Sequence, residues 1–192
     1  MTGSRPATHF ERLYQSNPDP WGFNTSPYEQ AKYRQTLAVL DDQRFASCLE
    51  VGCSIGILTR MLAPRCDSLL GIDIVEDPLK AARSRCADQS HVRFQRVQVP
   101  AEWPAGRFDL IIFSEVLYFL APWDIDRCAD HVTASLMPGG EVVMVNWLGQ
   151  TDDPTTGDDA AERFISATAG SIRVIRSDRH EGYRLDLLAN PL

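Results

Sequence analysis

The stretch LEVGCSIGILT, residues 49–59, joins an apolar run to a helical pattern through two glycines. The apolar run with Glu50 predicts a strand, Gly52 and Gly56 bracket a tight turn, and the apolar spacing that follows predicts a helix up to Pro64. Glycine lets a ligand approach the main-chain N–H groups, and it adopts torsion angles that cost other residues free energy. The stretch therefore predicts a strand, a ligand-binding turn and a helix start.

Three known patterns compete for this turn. The dinucleotide fingerprint G-x-G-x-x-G fails, because Ser54 stands at its second glycine and Ile57 at its last. The nucleophile elbow G-x-S-x-G of serine hydrolases matches residues 52–56 letter for letter. The third pattern, acid-x-G-x-x-x-G, is the turn of S-adenosylmethionine (SAM) dependent methyltransferases, with Glu50 as the acid and Ser54 at the middle glycine. The sequence after the turn decides between the last two patterns.

Composition limits the class of protein. A chain of 192 residues, 44% hydrophobic and 23% charged, suits one globular domain, which we divide into an N-terminal lid segment with a helix, 1–40, and a core, 41–192. The net charge of -7 disfavours nucleic acid as a partner. We find no apolar run of membrane-spanning length and no signal peptide, so we expect a cytoplasmic protein.

The five scattered cysteines favour buried thiols over disulfides or a zinc site.

The N-terminal segment is rich in aromatic side chains. We expect residues 1–8 to form a disordered tail. Prolines and a glycine within residues 16–30 prevent regular structure, yet Trp21 is too apolar to be left in water. Tyr14, Trp21 and Tyr28 are therefore either packing residues or part of a lid over the ligand turn.

Strands and helices alternate after the glycine turn, which indicates a parallel sheet. The apolar run at 108–113 is the most continuous, so we place it at the centre of the sheet. A polar turn containing Gly182 joins two alternating segments into an antiparallel pair. The predicted strands after the first are 68–74, 92–99, 108–113, 141–147, 172–176 and 183–188, with a turn at 137–140.

Polar residues follow several of these strands. Asp73 lies at the end of the strand after the glycine turn, where an acid can accept hydrogen bonds from both hydroxyls of a ribose. The alternative for Asp73 is an acid that merely ends a strand. Gln98 stands where an acid often meets an adenine amino group, and its carbonyl can accept the same bond. Ser114, Glu115 and Tyr118 follow the central strand, at the edge where doubly wound sheets bind ligands. The alternative for Glu115 is a helix-capping or salt-bridged acid.

The polar loop GQTDDPTTGDD, residues 149–159, carries four aspartates. These carboxylates can bind a divalent cation or an amine. An acidic run of this kind is more often a solvated loop that ends in a helix cap. We predict no metal site in this chain.

The segments LEVGCSIGILT, GIDI, FDLIIFSEVLYFL and LMPGG, in that order and spacing, resemble class I SAM-dependent methyltransferases over nearly all of the chain. The segment DPWGFNTSPYEQAKYRQTLAVL, together with EVLYFL, narrows the resemblance to the nodulation N-methyltransferase (NodS) family. These small enzymes methylate the amino group of a deacetylated chitin oligosaccharide. The resemblance implies an α/β, Rossmann-like, seven-stranded and mostly parallel sheet of order 3-2-1-4-5-7-6, with helices on both faces.

The resemblance also implies where SAM would lie, across the edges of strands 1 and 4. Ser54 in place of the common middle glycine and Gln98 in place of the common acid depart from the family pattern. The implied cofactor residues are Glu50, Gly52, Cys53 and Gly56 for the methionine moiety, Asp73 and Ile74 for the ribose and adenine, Gln98 and Val99 for the adenine edge, and Ser114 and Glu115 for the inner side.

The expected reaction is an in-line transfer of the sulfonium-bound methyl group to a nitrogen or oxygen of a small molecule or saccharide, by a monomer or homodimer. An attacking amine must be neutral, so Glu115, Tyr118 or His180 is a candidate to hold its proton. Tyr14, Trp21 and Tyr28 would bracket a sugar ring or the sulfonium cation.

Two other functions remain open at this point. A serine hydrolase would use Ser54 as its nucleophile, with His180 and either Asp153 or Asp158 in the required chain order. A SAM-binding domain without turnover would use the same cofactor residues and give no methylated product, since fold does not fix function.

Overall fold

The computed structural model describes residues 3–191. Within them, seven strands form one sheet in the order β3-β2-β1-β4-β5-β7-β6, which confirms the predicted fold class and strand order. The strands are β1 (Cys48–Val51), β2 (Leu69–Asp73), β3 (Val92–Arg96), β4 (Phe108–Ser114), β5 (Leu136–Trp147), β6 (Arg173–His180) and β7 (Tyr183–Ala189). The α-helices are α1 (Ala7–Ser16), α2 (Pro27–Ala38), α3 (Ile57–Leu62), α4 (Glu76–Arg85), α5 (Pro122–Ser135) and α6 (Gly157–Thr168).

Strand pairing follows the alternation seen in the sequence. β1 with β2, β2 with β3, and β4 with β5 are parallel pairs, whereas β7 runs antiparallel to both β5 and β6. The chain divides into two compact units, an N-terminal unit, Pro6–Gln98, and a C-terminal unit from Val99 onward that also includes residues 3–5. The predicted boundary between lid and core at residue 40 stays a prediction.

The N-terminal unit contains β1 to β3 and α1 to α4. β1 is buried along its whole length, as expected of a strand inside a parallel sheet. Ser26 begins α2, because its Oγ accepts a hydrogen bond from the Glu29 N–H at 3.3 Å and proline occupies the first helical position. α1 already begins at Ala7, so the prediction of a disordered tail up to residue 8 is wrong at its end.

The C-terminal unit contains β4 to β7 with α5 and α6. The β4 residues 110–113 are fully buried, which agrees with the central place given to this strand. The turn predicted at 137–140 is wrong, because these residues continue β5. The Gly139 N–H donates to the Asn190 carbonyl and the Asn190 N–H donates to the Gly140 carbonyl, both at 2.9 Å.

The tail prediction also fails in this unit. The Arg5 N–H donates to the Phe119 carbonyl at 2.9 Å, and Ser4 Oγ donates to the Asp124 carboxylate at 2.6 Å. Partners far along the chain, a main-chain carbonyl for Arg5 and a carboxylate for Ser4, therefore hold residues 4 and 5. Residues 1 and 2 lie outside the described residues.

The prediction that the cysteines are buried free thiols is confirmed. All five cysteines are free and buried. None of the helices within residues 3–191 combines the length and the apolar composition needed to cross a membrane.

Candidate functional site

The glycine turn connects β1 to α3 in the N-terminal unit. Gly52 and Gly56 have φ angles of 82° and 77°, and Ser54 between them has φ of 46°, so three residues of the turn are left-handed. The Gly52 and Cys53 N–H groups both donate to the Ile72 carbonyl, at 2.9 and 3.0 Å. The turn is thereby fastened to the end of β2.

Asp73 ends β2 directly beside this turn. Its Oδ2 accepts a hydrogen bond from the Ser54 N–H and its Oδ1 accepts one from the Val75 N–H, both at 3.0 Å. A carboxylate oxygen can accept more than one hydrogen bond, so acceptor capacity remains on both oxygens. Burial raises the pKa of Asp73 to about 6, and the main-chain hydrogen bonds oppose that rise. At neutral pH the carboxyl is therefore mostly an oriented anion.

Glu50 lies within β1 and is 1% exposed. Its Oε2 accepts a hydrogen bond from the Thr59 Oγ1 at 2.6 Å, which joins the strand to the first turns of α3. Burial raises the pKa of Glu50 to about 7, because a buried charged carboxylate loses its hydration. The Glu50 carboxyl, only partly ionised at neutral pH, therefore stabilises the turn through its hydrogen bond to Thr59.

Replacing Glu50 with Gln is expected to flatten the dependence of stability on pH. A carboxyl with its pKa raised in the folded state contributes stability that is present below its unfolded pKa of about 4.5 and is lost as pH rises through about 7. Glutamine keeps an acceptor for Thr59 and does not titrate. Relative to the wild type, the variant should gain about 2 kcal/mol in free energy of unfolding between pH 5 and pH 8, measured by urea denaturation. A constant difference at both pH values would contradict this role.

Tyr14 of α1 contacts the glycine turn. Its Oη lies 2.6 Å from the Ser54 Oγ, and both side chains are buried. Burial and the nearby Asp73 raise the pKa of Tyr14 far above its usual value, so the phenol stays protonated at neutral pH. A serine nucleophile needs an exposed hydroxyl and a base, and Ser54 has a buried hydroxyl beside a protonated phenol. These contacts disfavour the serine hydrolase.

Removing the Tyr14 hydroxyl should loosen this contact. Tyr14→Phe leaves the buried Ser54 hydroxyl without this partner, so we expect a loss of about 1–2 kcal/mol in free energy of unfolding. In a Ser54→Ala background the same change should cost much less, because the hydroxyl pair is already broken. Chemical denaturation of the four proteins measures the coupling. Tyr28→Phe, on an exposed ring, is the control and should change stability by less than about 0.5 kcal/mol. Strictly additive effects of the two changes would mean that the hydroxyls do not interact.

Aromatic side chains continue from Tyr14 through the loop that follows α1. Trp21 meets Tyr14 edge to face with ring centroids 5.6 Å apart and stacks on Phe23 at 5.5 Å. Trp21 is nevertheless 39% exposed. Tyr28 is exposed as well and lies beside Lys32, whose Nζ is 5.4 Å from the ring centroid. The structure thus brings Tyr14 and Trp21 together next to the turn, while Tyr28 lies on α2.

Arg85 provides a second link between this loop and the turn, one that sequence reasoning missed. Its Nε donates to the Ile55 carbonyl at 2.9 Å and its Nη2 donates to the Asn24 Oδ1 at 2.7 Å. In the sequence Arg85 is one of two basic residues in the last turn of α4, where a cation is expected to interact with the helix dipole. No local signal distinguishes the bridging role.

The other predicted cofactor residues of this unit lie around the same strand ends. Cys53 is buried within the turn, and Ile74 is half-buried directly after Asp73. Gln98 is exposed and follows Val97, whose N–H donates to the Asp73 carbonyl at 2.9 Å. Val99 opens the C-terminal unit and is half-buried.

Glu115 follows β4 in the C-terminal unit and has φ of 59°. Its N–H donates to the Val145 carbonyl at 3.0 Å, and its carboxylate accepts a hydrogen bond from the Trp147 N–H at 2.8 Å. Ser114, the last residue of β4, pairs with Val145. Glu115 therefore holds the carboxyl ends of β4 and β5 together.

Tyr118 and His180 lie at different places in this unit. Tyr118 is buried in a short 3₁₀ turn, and its carbonyl accepts a hydrogen bond from the Thr155 N–H at 3.3 Å. His180 ends β6 and stacks on Tyr183 with centroids 4.6 Å apart. Tyr183 in turn pairs with Trp147 across the sheet. His180 is thus connected through neighbours to the end of β5.

Ion pairs hold the acidic loop. Asp153 Oδ1 accepts a hydrogen bond from Arg5 Nε at 2.7 Å, and Asp158 Oδ1 accepts one from Arg179 Nη1 at 2.6 Å. Thr156 caps α6 by accepting a hydrogen bond from the Asp159 N–H at 3.1 Å. Throughout residues 3–191, no three His, Cys, Asp or Glu side chains are grouped so as to hold a metal ion. Arginines and a helix cap thus account for three of the four aspartates.

Comparison with known proteins shows which proteins the chain is similar to. The family model of nodulation protein S (NodS) matches residues 10–144. The chain is 39% identical over 103 residues to a nodulation protein S of Bradyrhizobium diazoefficiens, covering 53% of this chain and 49% of that protein. It is 35% identical over 127 residues to one from Sinorhizobium fredii, covering 65% and 59%. The chain therefore spans only about half the length of the curated relatives it matches.

A solved structure agrees over a greater length. The crystal structure of the N-methyltransferase NodS from Bradyrhizobium japonicum WM9, in complex with S-adenosyl-L-homocysteine (SAH), superposes with a TM-score of 0.81 at 25% identity. The match covers 97% of this chain and 98% of that one. The similarity therefore includes the whole fold, beyond the residues matched by the family model.

Proposed function

The chain belongs to the NodS family, and from that premise we propose that it is a SAM-dependent methyltransferase acting on a small molecule or saccharide, with the amine of an amino sugar as the acceptor. The related N-methyltransferase from Bradyrhizobium japonicum binds SAH, the demethylated form of SAM. The observation in this chain that carries the proposal is the buried Asp73 carboxylate, oriented beside a glycine turn.

The residues around the turn fit an adenosyl cofactor. Two main-chain N–H groups fix the orientation of the Asp73 carboxylate, and the acceptor capacity left on it suits the two hydroxyls of a ribose. We assign the ribose to Asp73 and the methionine moiety to the turn around Gly52 and Cys53. From the family resemblance we assign Ser114 and Glu115 to the inner side of the cofactor.

When bound, SAM would supply the methyl group from its sulfonium. The chain's own contribution is to align the acceptor with this methyl group and to exclude water, and such positioning can lower a barrier by about 7–11 kcal/mol. The exposed face of Trp21 can cover the acceptor or attract the sulfonium cation. Glu115, Tyr118 and His180 remain the candidates to hold the proton of the attacking amine.

A methylation assay tests this function. Purified protein with SAM and a fully deacetylated chitin tetramer should yield a product in which one methyl group replaces one amine hydrogen, detected by mass spectrometry. The fully acetylated tetramer is the matched control and should not react, because an amide nitrogen is a poor nucleophile. Binding of SAM without methylation of any amine or hydroxyl acceptor would instead support a SAM-binding domain without turnover.

A further inference from the structure

The side-chain amide of Asn146 is the least explained polar group in the C-terminal unit. Asn146 is 0% exposed, and neither Oδ1 nor Nδ2 has a hydrogen-bond partner among residues 3–191. Buried side-chain amides in folded proteins are nearly always hydrogen-bonded, because an unpaired buried donor or acceptor lowers stability. An amide left in this state indicates that a molecule outside the chain completes its hydrogen bonds.

The position of Asn146 suits a ligand-binding residue. It is the penultimate residue of β5, between Val145, which pairs with Ser114, and Trp147, whose N–H donates to Glu115. Asn146 therefore lies at the carboxyl ends of β4 and β5. In doubly wound sheets, ligands bind outside the carboxyl ends of the strands.

The neighbouring charged groups explain why Asn146 has no partner within the unit. Arg184 is the residue that pairs with Asn146 on β7. Its guanidinium donates to the Asp186 carboxylate at 2.9 Å and to Glu162 Oε1 at 2.6 Å. Arg184 and Asp186 are buried, whereas the Glu162 side chain is 65% exposed. These groups satisfy one another, and the Asn146 amide takes no part in their hydrogen bonds.

The start of α6 covers Asn146. A Cβ atom on Gly157 would lie 3.2 Å from the Asn146 Cβ and would overlap the Trp147 carbonyl oxygen, so the main chain of α6 passes directly over the end of β5. The intervening segment contributes the lining of an open cavity of about 530 Å³. The cavity is lined by Leu148, Gly149, Gln150, Thr151, Asp152 and Thr156.

Building on the proposed methyl transfer, we propose that Asn146 is a specificity-determining residue whose side-chain amide binds the vicinal amine and hydroxyl of an amino-sugar acceptor. The amide offers a carbonyl acceptor for an amine N–H and, beside it, an N–H donor for the neighbouring hydroxyl oxygen. The cavity lined by the segment that follows β5 provides room for a sugar ring. Because α6 covers the amide, the segment 148–157 has to move away when the acceptor binds.

Asn146→Leu tests the proposal through binding and stability together. The variant should weaken binding of the fully deacetylated chitin tetramer at least about 10-fold, measured by calorimetry with SAH saturating, and leave SAH affinity unchanged. Its Tm should rise by at least about 2 °C, because an unpaired buried amide is replaced by an apolar side chain of similar size. Asn146→Ala, which cannot clash, should weaken tetramer binding equally.

Thr168→Val is the matched control. Thr168 is also buried in the C-terminal unit, but its hydroxyl donates to the Phe164 carbonyl at 2.9 Å. This change should lower the Tm and leave tetramer binding as in the wild type.

The outcomes separate this proposal from the proposed function. Unchanged tetramer affinity in both Asn146 variants, or no binding of the tetramer by the wild type, would overturn the role of Asn146. A lower Tm for Asn146→Leu would show that the amide is already bonded in the free protein, for instance to an internal water, and would overturn it as well. Binding that depends on Asn146 without methylation of the tetramer would contradict only the proposed function.

Discussion

Asp73→Ala is expected to weaken SAH binding by at least about 100-fold. Two hydrogen bonds from ribose hydroxyls to a carboxylate, at about 1.5–3 kcal/mol each, account for a loss of this size. The Asp73 carboxylate is suited to these bonds because the Ser54 and Val75 N–H groups orient it. Isothermal titration calorimetry measures the change in Kd directly.

The control for this change is Asp77→Ala. Asp77 lies four residues further on, in the first turn of α4, where it is exposed and paired with Lys80 at 2.7 Å. The Asp77→Ala substitution should leave SAH affinity within about two-fold of the wild type, because exposed ion pairs contribute little to stability. Since Asp73→Ala also removes a main-chain acceptor, circular dichroism has to show that the variant is folded. A folded Asp73→Ala protein with wild-type affinity would remove Asp73 from the ribose site.

Gly56→Ala should produce the largest loss of stability, about 2–5 kcal/mol. A Cβ at this position would lie 2.8 Å from the Ala82 Cβ and 2.9 Å from the Ala82 Cα, where α3 begins against α4. Overpacking of this kind costs about 1–3 kcal/mol. The left-handed φ of 77° costs any residue with a Cβ about 1–2 kcal/mol more. Urea denaturation gives the difference in free energy of unfolding.

A compensating change separates the two causes. Ala82→Gly removes one of the two atoms that the new Cβ would meet, the Ala82 Cβ, so in the Gly56→Ala background it should recover part of the lost stability. In the wild type the same change should cost about 1 kcal/mol, because glycine is unfavourable inside a helix. If Ala82→Gly destabilises both backgrounds equally, the contact between the helices is not the reason for glycine at position 56.

The fold could be predicted from sequence because its determinants are local. The apolar run of 108–113 and the alternation of strands and helices predict a parallel sheet, and each pattern depends on residues close together in the chain. The order of the strands came from the family resemblance. Errors arose at element ends, as at 137–140, where hydrogen bonds to Asn190 extend a strand through a sequence typical of a turn.

The candidate site was only partly predictable. Asp73 could be placed beside the glycine turn, because the carboxyl ends of neighbouring parallel strands meet at one edge of a sheet. The contact between Tyr14 and Ser54 joins residues far apart in the sequence, and the bridge made by Arg85 depends on the direction of one side chain. Asn146 stands out only in the structure, where its buried side-chain amide has no hydrogen-bond partner among residues 3–191. Periodicity and motif spacing carry none of this information.

The most direct test of the account is a calorimetric titration of the wild-type protein with SAH and, separately, with NAD. The glycine turn and the oriented Asp73 carboxylate are common to both kinds of nucleotide site, so the two ligands distinguish the methyltransferase from a dinucleotide-binding protein. We expect saturable one-site binding of SAH and no heat with NAD. Binding of NAD without binding of SAH would contradict it.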